Sequence, residues 1–529
     1  MASSRWAAAA AHTAALATAA LALVPGTAAA ANAPQQRLEW GACSGLEAPE
    51  GTPMVCARLT VPLDRGAPAA QRGTAELALS RVPAREQRTG TLVVNPGGPG
   101  SPGRIWAART AASLPDDLRD RYDVVGFDPR GTGASTPAVS CDPEFFQAPR
   151  PDTVPRTAAD SATLTDRAAG YAAACSRSTG GDLLEHMSTA DSADDIDAIR
   201  AALGAERVDY LGYSYGTLLG AVFATRHPDR VRRLVLDSVV HPGRPWYRAN
   251  LRQSRSLDAA AQNFFAWTAR HDDAYGLGDT AGETAAAYYG TRADLAEAPA
   301  EGAVGPTELE NTYLTAAYSA ATWPELARAL SDHTRDGDTA GLTEVHRAYG
   351  DSAESDASYG AYLATQCTDA RWPRDTRTWL DDGEKAHAEV PFQGWNNIWY
   401  NMPCAFWSAP GGTWPDVDGS GVSGALLVQA EDDGPTPVEG AFAMRERFPG
   451  GRLVLESGGV SHGVSLGGNP CVDGAVADYL RDGTLPPAGG RPDAADLVCP
   501  PSPEPAPAAE SGDASGSRGP QAAPDLLRR

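Results

Sequence analysis

The residue of this chain best placed to do chemistry is the serine in Val208-Asp209-Tyr210-Leu211-Gly212-Tyr213-Ser214-Tyr215-Gly216-Thr217. A short apolar run leads into G-x-S-x-G and a helical pattern follows at once, so the hydroxyl belongs on a tight strand-to-helix turn. Glycines on both sides relieve the clashes of such a turn. The first amides of the following helix point toward developing negative charge. That is the arrangement of a nucleophile that attacks a carbonyl. The same pattern recurs at Gly459-Val460-Ser461-His462-Gly463, but Val464-Ser465-Leu466-Gly467-Gly468-Asn469-Pro470 cannot begin a helix directly. Ser214 is therefore the expected nucleophile, and the second match is expected to be a loop.

A serine hydroxyl needs a base to take its proton, and the base needs an acid to orient it. In the chain order that goes with this turn, the acid follows a later strand and the histidine comes last. The chain has nine histidines. His12 lies in an N-terminal leader, and His186, His227 and His241 stand too early or flank helices. His271, His333, His346 and His387 fall in a helical stretch where solvent-facing positions explain them. His462 follows the last expected strand and is the candidate base. For the acid, Glu431, Asp432 and Asp433 lie just past the apolar run Leu426-Leu427-Val428. Asp237, at the end of Leu234-Val235-Leu236, is a rival that is equally well placed to hold loop amides. An oxyanion also needs two donors. One is the amide of Tyr215, and the other is expected from the glycine-rich loop Asn95-Pro96-Gly97-Gly98-Pro99-Gly100-Ser101 after an early strand. That loop lacks the Lys-Ser/Thr ending of a phosphate-binding loop and the spacing of a dinucleotide fingerprint.

These residues need a scaffold. Short β-branched and apolar runs recur at Ala75 to Val82, Thr91 to Val94, Asp123 to Phe127, Val208 to Leu211, Leu234 to Leu236, Ala425 to Val428 and Leu453 to Leu455. Each is bounded by Gly, Pro, Asp or Asn, as buried strands are. Helical patterns lie between several of them. One runs from Asp191 to Leu203, with Ile196, Ile199 and Leu203 on one face and acids in its first turn. Strands alternating with helices predict an α/β fold with a mostly parallel sheet covered on both sides. The alternation stops near His241 and resumes near Ser423. Between them lies a Trp-, Tyr- and Ala-rich stretch, for example Glu308 to Leu330, that reads as helical.

The acidic excess, 67 Asp and Glu against 44 Lys and Arg for a net charge of −23, lacks the basic footprint that nucleic acid or a polybasic membrane contact needs. At the N-terminus, Arg5 precedes an Ala/Leu run through Leu23, then Pro25-Gly26 and small residues to Ala31. This reads as a cleaved secretory signal rather than an anchor, and no later segment is apolar enough to span a bilayer. Eight cysteines suit an exported chain. They fall into sequence-local pairs, expected as Cys43 with Cys56, Cys141 with Cys175, Cys367 with Cys404 and Cys471 with Cys499. None shows zinc or redox spacing, and neither a metal nor a cofactor is implied. The stretch from Pro500 is rich in Pro, Ala, Ser and Gly and is expected to be disordered.

With those residues in view, the chain resembles the secreted bacterial tripeptidyl aminopeptidases, kin of the proline iminopeptidases within the α/β-hydrolase superfamily, over nearly the whole mature length. Asn95 to Ser101 resembles that family's oxyanion loop, and Asp128-Pro129-Arg130-Gly131-Thr132-Gly133-Ala134-Ser135 its D-x-R-G-x-G-x-S turn. Gly212 to Thr217 resembles its nucleophile elbow, and Cys404-Ala405-Phe406-Trp407 its C-x-x-W. The family's acid motif D-P-x-T-P reads here as Asp433-Gly434-Pro435-Thr436-Pro437, departing at Gly434 but keeping its register, which selects Asp433 among the three carboxylates. The resemblance implies a triad of Ser214, His462 and Asp433, with Tyr215 and Gly98 at the oxyanion. It implies removal of short peptides, typically tripeptides, from the free N-termini of peptides and proteins. The implied organisation is a signal over 1–33, an α/β-hydrolase core over 34–240 and 422–499, a helical cap over 241–421 and a tail over 500–529. A cap carboxylate such as Glu308 or Glu310 would pair with the substrate ammonium. An esterase or lactone hydrolase on the same triad, and an exported binding protein with a relic triad, are the alternatives.

Overall fold

The computed structural model describes residues 36–508 except 180, 490, 492 and 493, so the signal reading of 1–33 and the tail beyond 508 lie outside the described residues. The described residues form a ten-stranded sheet in the order β1-β2-β3-β5-β4-β6-β7-β8-β9-β10. The strands are β1 (Gly41–Ala42), β2 (Val55–Pro62), β3 (Thr74–Val82), β4 (Gly90–Asn95), β5 (Tyr122–Asp128), β6 (Val208–Tyr213), β7 (Val231–Asp237), β8 (Ala425–Ala430), β9 (Gly451–Glu456) and β10 (Leu497–Cys499). Pairing is antiparallel from β1 to β5 and parallel from β5 across to β10.

Alternate residues of the central strands feed opposite faces, as a pleated strand requires. Leu92, Val94, Leu211, Val235, Leu426 and Val428 pack on one side with α1 (Arg104–Ser113). Val93, Tyr210, Leu234, Leu236 and Leu427 pack on the other with α2 (Thr189–Ala202) and α3 (Tyr215–Arg226). Being covered on both faces explains why these strands read as continuous apolar runs. The structure adds β2, whose Ala57, Leu59 and Val61 are buried while Arg58 and Thr60 are exposed, the alternation of a strand with one face on the core. Helix α2 begins at Thr189 because Ser188 and Asp191 form a reciprocal capping box.

Between β7 and β8 the chain is helical. It includes α4 (Trp246–Arg270), α5 (Pro306–Tyr313), α6 (Trp323–Asp336), α7 (Ser355–Asp369) and α8 (Gly394–Asn401). The continuous pattern expected over Glu308 to Leu330 is broken by short 3₁₀ turns at Leu314–Ala317 and Ala320–Thr322. Pro324 has no amide to donate inside a helix but fits a first turn, so α6 starts anew there. The stretch has two packing allegiances. Phe264, Trp267, Tyr288 and Trp323 build a core of their own, whereas Tyr359, Trp379, Trp395 and Met402 join the core beneath the sheet.

Residues 500–508 depart from the disorder expected of them. Asn469 Nδ2 donates to the Pro500 carbonyl (2.9 Å), Trp267 Nε1 to the Pro505 carbonyl (3.3 Å), and the Ala508 amide to the Tyr275 hydroxyl (3.0 Å). Proline-rich chain makes few bonds of its own, and here Asn469 and side chains of the helical stretch satisfy it. Four disulfides join Cys43 to Cys56, Cys141 to Cys175, Cys367 to Cys404 and Cys471 to Cys499. No helix of the described residues is long and apolar enough to cross a membrane.

Candidate active site

Ser214 stands between β6 and α3 with φ 56° and ψ −126°, a backbone that non-glycine residues seldom adopt. The turn is pinned from both sides. The Ser214 amide donates to the Asp237 carbonyl (2.9 Å), and the Ser214 carbonyl accepts from the amide (2.8 Å) and hydroxyl (2.6 Å) of Thr217. The flanking glycines are steric necessities, since a Cβ on Gly212 would lie 2.3 Å from the Gly216 carbonyl oxygen.

The loop after β4 presses against this turn. Gly97, at φ +98°, has no room for a side chain: a Cβ would lie 2.9 Å from Ser214 Cβ and 3.0 Å from the Tyr215 amide. Gly98 follows at φ +104° and lines the same cavity as Ser214 and Tyr215. The loop's far end is held by the D-x-R-G-x-G-x-S turn. Asp128 accepts from the amides of Gly103 (2.9 Å) and Arg104 (3.1 Å) at the start of α1, and from that of Ala134 (2.9 Å). Arg130, fully buried, forks onto Asp195 of α2 with two bonds of 2.8 Å. Removing one partner of such a buried pair typically costs about 3–5 kcal/mol, so the turn is scaffolding that fixes where α1 and its preceding loop lie.

His462 and Asp433 are both buried and in contact. Nδ1 of His462 lies 3.0 and 2.9 Å from the two carboxylate oxygens of Asp433, and the Thr436 amide donates to the same carboxylate (2.8 Å). Nδ1 therefore carries the proton, and Nε2 is left as the acceptor. The His462 amide donates to the Tyr318 carbonyl (2.8 Å), and the Tyr318 ring meets the imidazole edge-on at 5.4 Å, so the helical stretch helps fix the histidine loop. Asp237, the rival acid, does not bond His462. Its carboxylate accepts from the Ser465 amide (2.5 Å) and the Ser238 hydroxyl (3.2 Å), while that hydroxyl accepts from the Gly463 amide (2.7 Å). Complete burial pushes Asp237 up to about 6. Glu431 binds the Ser457 hydroxyl and Gly458 amide away from the histidine, and Asp432 is exposed.

Ser214, His462, Tyr215 and Gly98 all line one cavity of about 450 Å³, within the range of small-molecule sites. Asn and Gln side chains, among them Asn250, Gln366 and Asn397, supply much of its polar wall. Glu308 and Glu310 do not line it. Both are buried in ion pairs, Glu308 with Arg150 (2.8 Å) and Glu310 with Arg292 (2.6 Å), which removes them as candidates for an incoming cation. Asp351 and Glu354 line the cavity instead. No local pattern marks them, because only the docking of α7 brings them there. His241 also lines the cavity, its Nδ1 accepting from the Gly243 amide (3.1 Å). Among the described residues, no group of three or more His, Cys, Asp or Glu side chains is placed to hold a metal ion.

A family model described as the alpha/beta hydrolase fold matches residues 90–288, and one described as TAP-like protein matches residues 390–492. A tripeptidyl aminopeptidase of Streptomyces lividans is 39% identical over 493 residues, covering 90% of this chain and 89% of that protein. The serine protease Hip1 of Mycobacterium tuberculosis is 30% identical, covering 86% of this chain and 91% of that protein. Carboxylesterase B of Mycobacterium tuberculosis is 31% identical, covering 87% and 90%.

Proposed function

The chain belongs to the tripeptidyl aminopeptidase family of α/β hydrolases, and from that premise we propose that it is an exported serine exopeptidase that releases tripeptides from free N-termini. Ser214 Oγ attacks the scissile carbonyl while His462 Nε2 takes its proton. Asp433 holds the imidazole in the required tautomer and stabilises its charged form. The amides of Tyr215 and Gly98 bind the oxyanion. His462 then protonates the leaving amine, and a water activated by the same nitrogen hydrolyses the acyl-enzyme. The observation that carries this reading is the Asp433–His462 contact at 2.9 Å beside the cavity that Ser214 also lines. Export is supported by the leader composition of 1–33 and by four disulfides, which persist in oxidising compartments.

Ser214→Ala should abolish hydrolysis of tripeptidyl reporter amides and labelling by a serine-directed phosphonate. Retention of either would remove the mechanism. The kinship with a carboxylesterase favours a second reading, ester hydrolysis by the same three residues. Digestion of a peptide library, read by mass spectrometry, separates the two: loss of three residues from unblocked peptides supports the first, and intact peptides alongside ester turnover support the second.

A further inference from the structure

We propose that Asn250 and Gln366 form a binding site for a main-chain peptide unit of the substrate, on the acyl side of the bond that is cut. This rests on the exopeptidase reading above. Both side chains are buried, at 8% and 2% exposed, and both line the cavity that Ser214 lines. They end a chain of carboxamides whose orientation is set from the backbone. Asn401, the last residue of α8, donates from Nδ2 to the Asn397 carbonyl (2.8 Å), which can only accept. Its Oδ1 is thereby turned toward Asn250 Nδ2 and the Tyr362 hydroxyl, each at 2.8 Å. Asn250 must meet that acceptor with Nδ2, and the same nitrogen donates to Gln366 Oε1 (3.2 Å).

Two atoms are left over, the acceptor Asn250 Oδ1 and the donor Gln366 Nε2. Neither has a partner among the described residues, and neither is sealed off from the cavity. A buried network that only braces the fold closes on itself, since unspent polar groups cost stability. This one presents a neutral donor beside a neutral acceptor. That is the complement of a peptide unit, whose carbonyl accepts and whose N–H donates. An ion would leave one of the two atoms opposed, and an apolar side chain would leave both unmet.

The pair stands at a fixed step from the reacting centre. Two rungs join α4 to α7: Trp246 Nε1 donates to Asp369 Oδ2 (3.1 Å) and, one helical turn along, Asn250 donates to Gln366. The first rung packs on the residue after Ser214. The Trp246 and Tyr215 rings lie 6.2 Å apart, and the Thr189 hydroxyl donates to Asp369 (2.6 Å) while lying 2.9 Å from Tyr215 Oη. One turn is about 5–6 Å, and extended chain advances about 3.3–3.6 Å per residue. The step between rungs thus matches one to two residues of substrate, the spacing from a scissile carbonyl to the peptide units that precede it. The remainder of a long substrate must run out to solvent, so the buried pair faces the short acyl part.

The test uses trialanyl aminomethylcoumarin amide, its two analogues in which one internal peptide N–H is replaced by an ester oxygen, and nitrophenyl acetate, which has no peptide unit. All are assayed on the full-length protein, the peptides by coumarin release. The ester oxygen removes the hydrogen that Asn250 would accept and weakens the carbonyl that Gln366 would meet. In the wild type one analogue should lose about tenfold in kcat/KM and the other less than about threefold. Gln366→Met keeps the length of the side chain without its amide, and Asn250→Ala removes the acceptor. Each should lower the ratio of peptide to acetate kcat/KM about tenfold and shrink the ester penalty to less than about twofold. A purely structural role would lower peptide and acetate turnover together and leave the ester penalty in place, which would overturn the assignment. The wild-type comparison needs no variant, so it decides even where a variant does not fold. If the wild type cleaves all three peptides equally well, the Asn250–Gln366 assignment falls while the exopeptidase reading stands. If it cleaves none of them yet turns over nitrophenyl acetate, both fall.

Discussion

The ends of β7 and β8 carry two carboxylates with nearly the same surroundings and different work. Asp237 and Asp433 are each almost wholly buried, one the last residue of β7 and the other three residues past β8, and each touches the loop that contains His462. Asp433 meets the imidazole, while Asp237 accepts from the Ser465 amide and reaches Gly463 through Ser238. One orients the side chain and the other the backbone that presents it. Burial and strand-end position therefore do not identify a catalytic acid; the atom at the far end of its hydrogen bond does.

This contrast can be broken experimentally. Asp433→Asn should lower kcat by about 10⁴, the order seen when the acid of such a triad loses its charge and the histidine adopts the wrong tautomer. A loss below tenfold in steady-state assays would overturn the assignment. Asp237→Asn keeps the shape of the carboxyl group and should cost less than about tenfold in kcat, because it acts on loop amides rather than on the base. If the two variants were equally crippled, the distinction would fail.

The same substitution sharpens the contrast through pH. Burial raises Asp237 to about 6 in the folded protein, against about 3.9 for an unfolded aspartate. Its contribution to stability is thus full below about pH 4 and is lost as pH rises through about 6. Asn cannot ionise, so the melting temperature of Asp237→Asn minus that of the wild type should become more positive between pH 4 and pH 7. Differential scanning fluorimetry across that window measures it, and a constant difference would refute a buried charge at this site. The smallest effect should come from the neighbours: Glu431→Gln and Asp432→Asn should each change kcat/KM by less than about twofold, since neither touches the imidazole.

Much of the architecture was legible because local backbone requirements leave local marks. The strands at Val93, Tyr210, Leu234 and Leu427 are apolar on both faces, and the turn at Ser214 needs glycine at 212 and 216 because carbonyl oxygens crowd both. What stayed hidden depended on partners far away in the chain. The extension of Pro500 to Ala508 along the helical stretch depends on Trp267 and Tyr275. The inward turning of Glu308 and Glu310 depends on Arg150 and Arg292.

The sequence by itself determined the tight turn at Ser214, the chain order of the proposed serine, acid and histidine, and an α/β sheet interrupted by helices, because each is written in neighbouring residues as periodicity, glycine placement or strand-end chemistry. The family's acid motif singled out Asp433, whose carboxylate meets the imidazole in the structure, whereas only the tertiary structure decided which acids face the cavity. Those outcomes rest on contacts such as Asp433 with His462, 29 residues apart, and Arg150 with Glu308, 158 apart. At such separations the packing of whole elements, not the local sequence, sets which atoms meet.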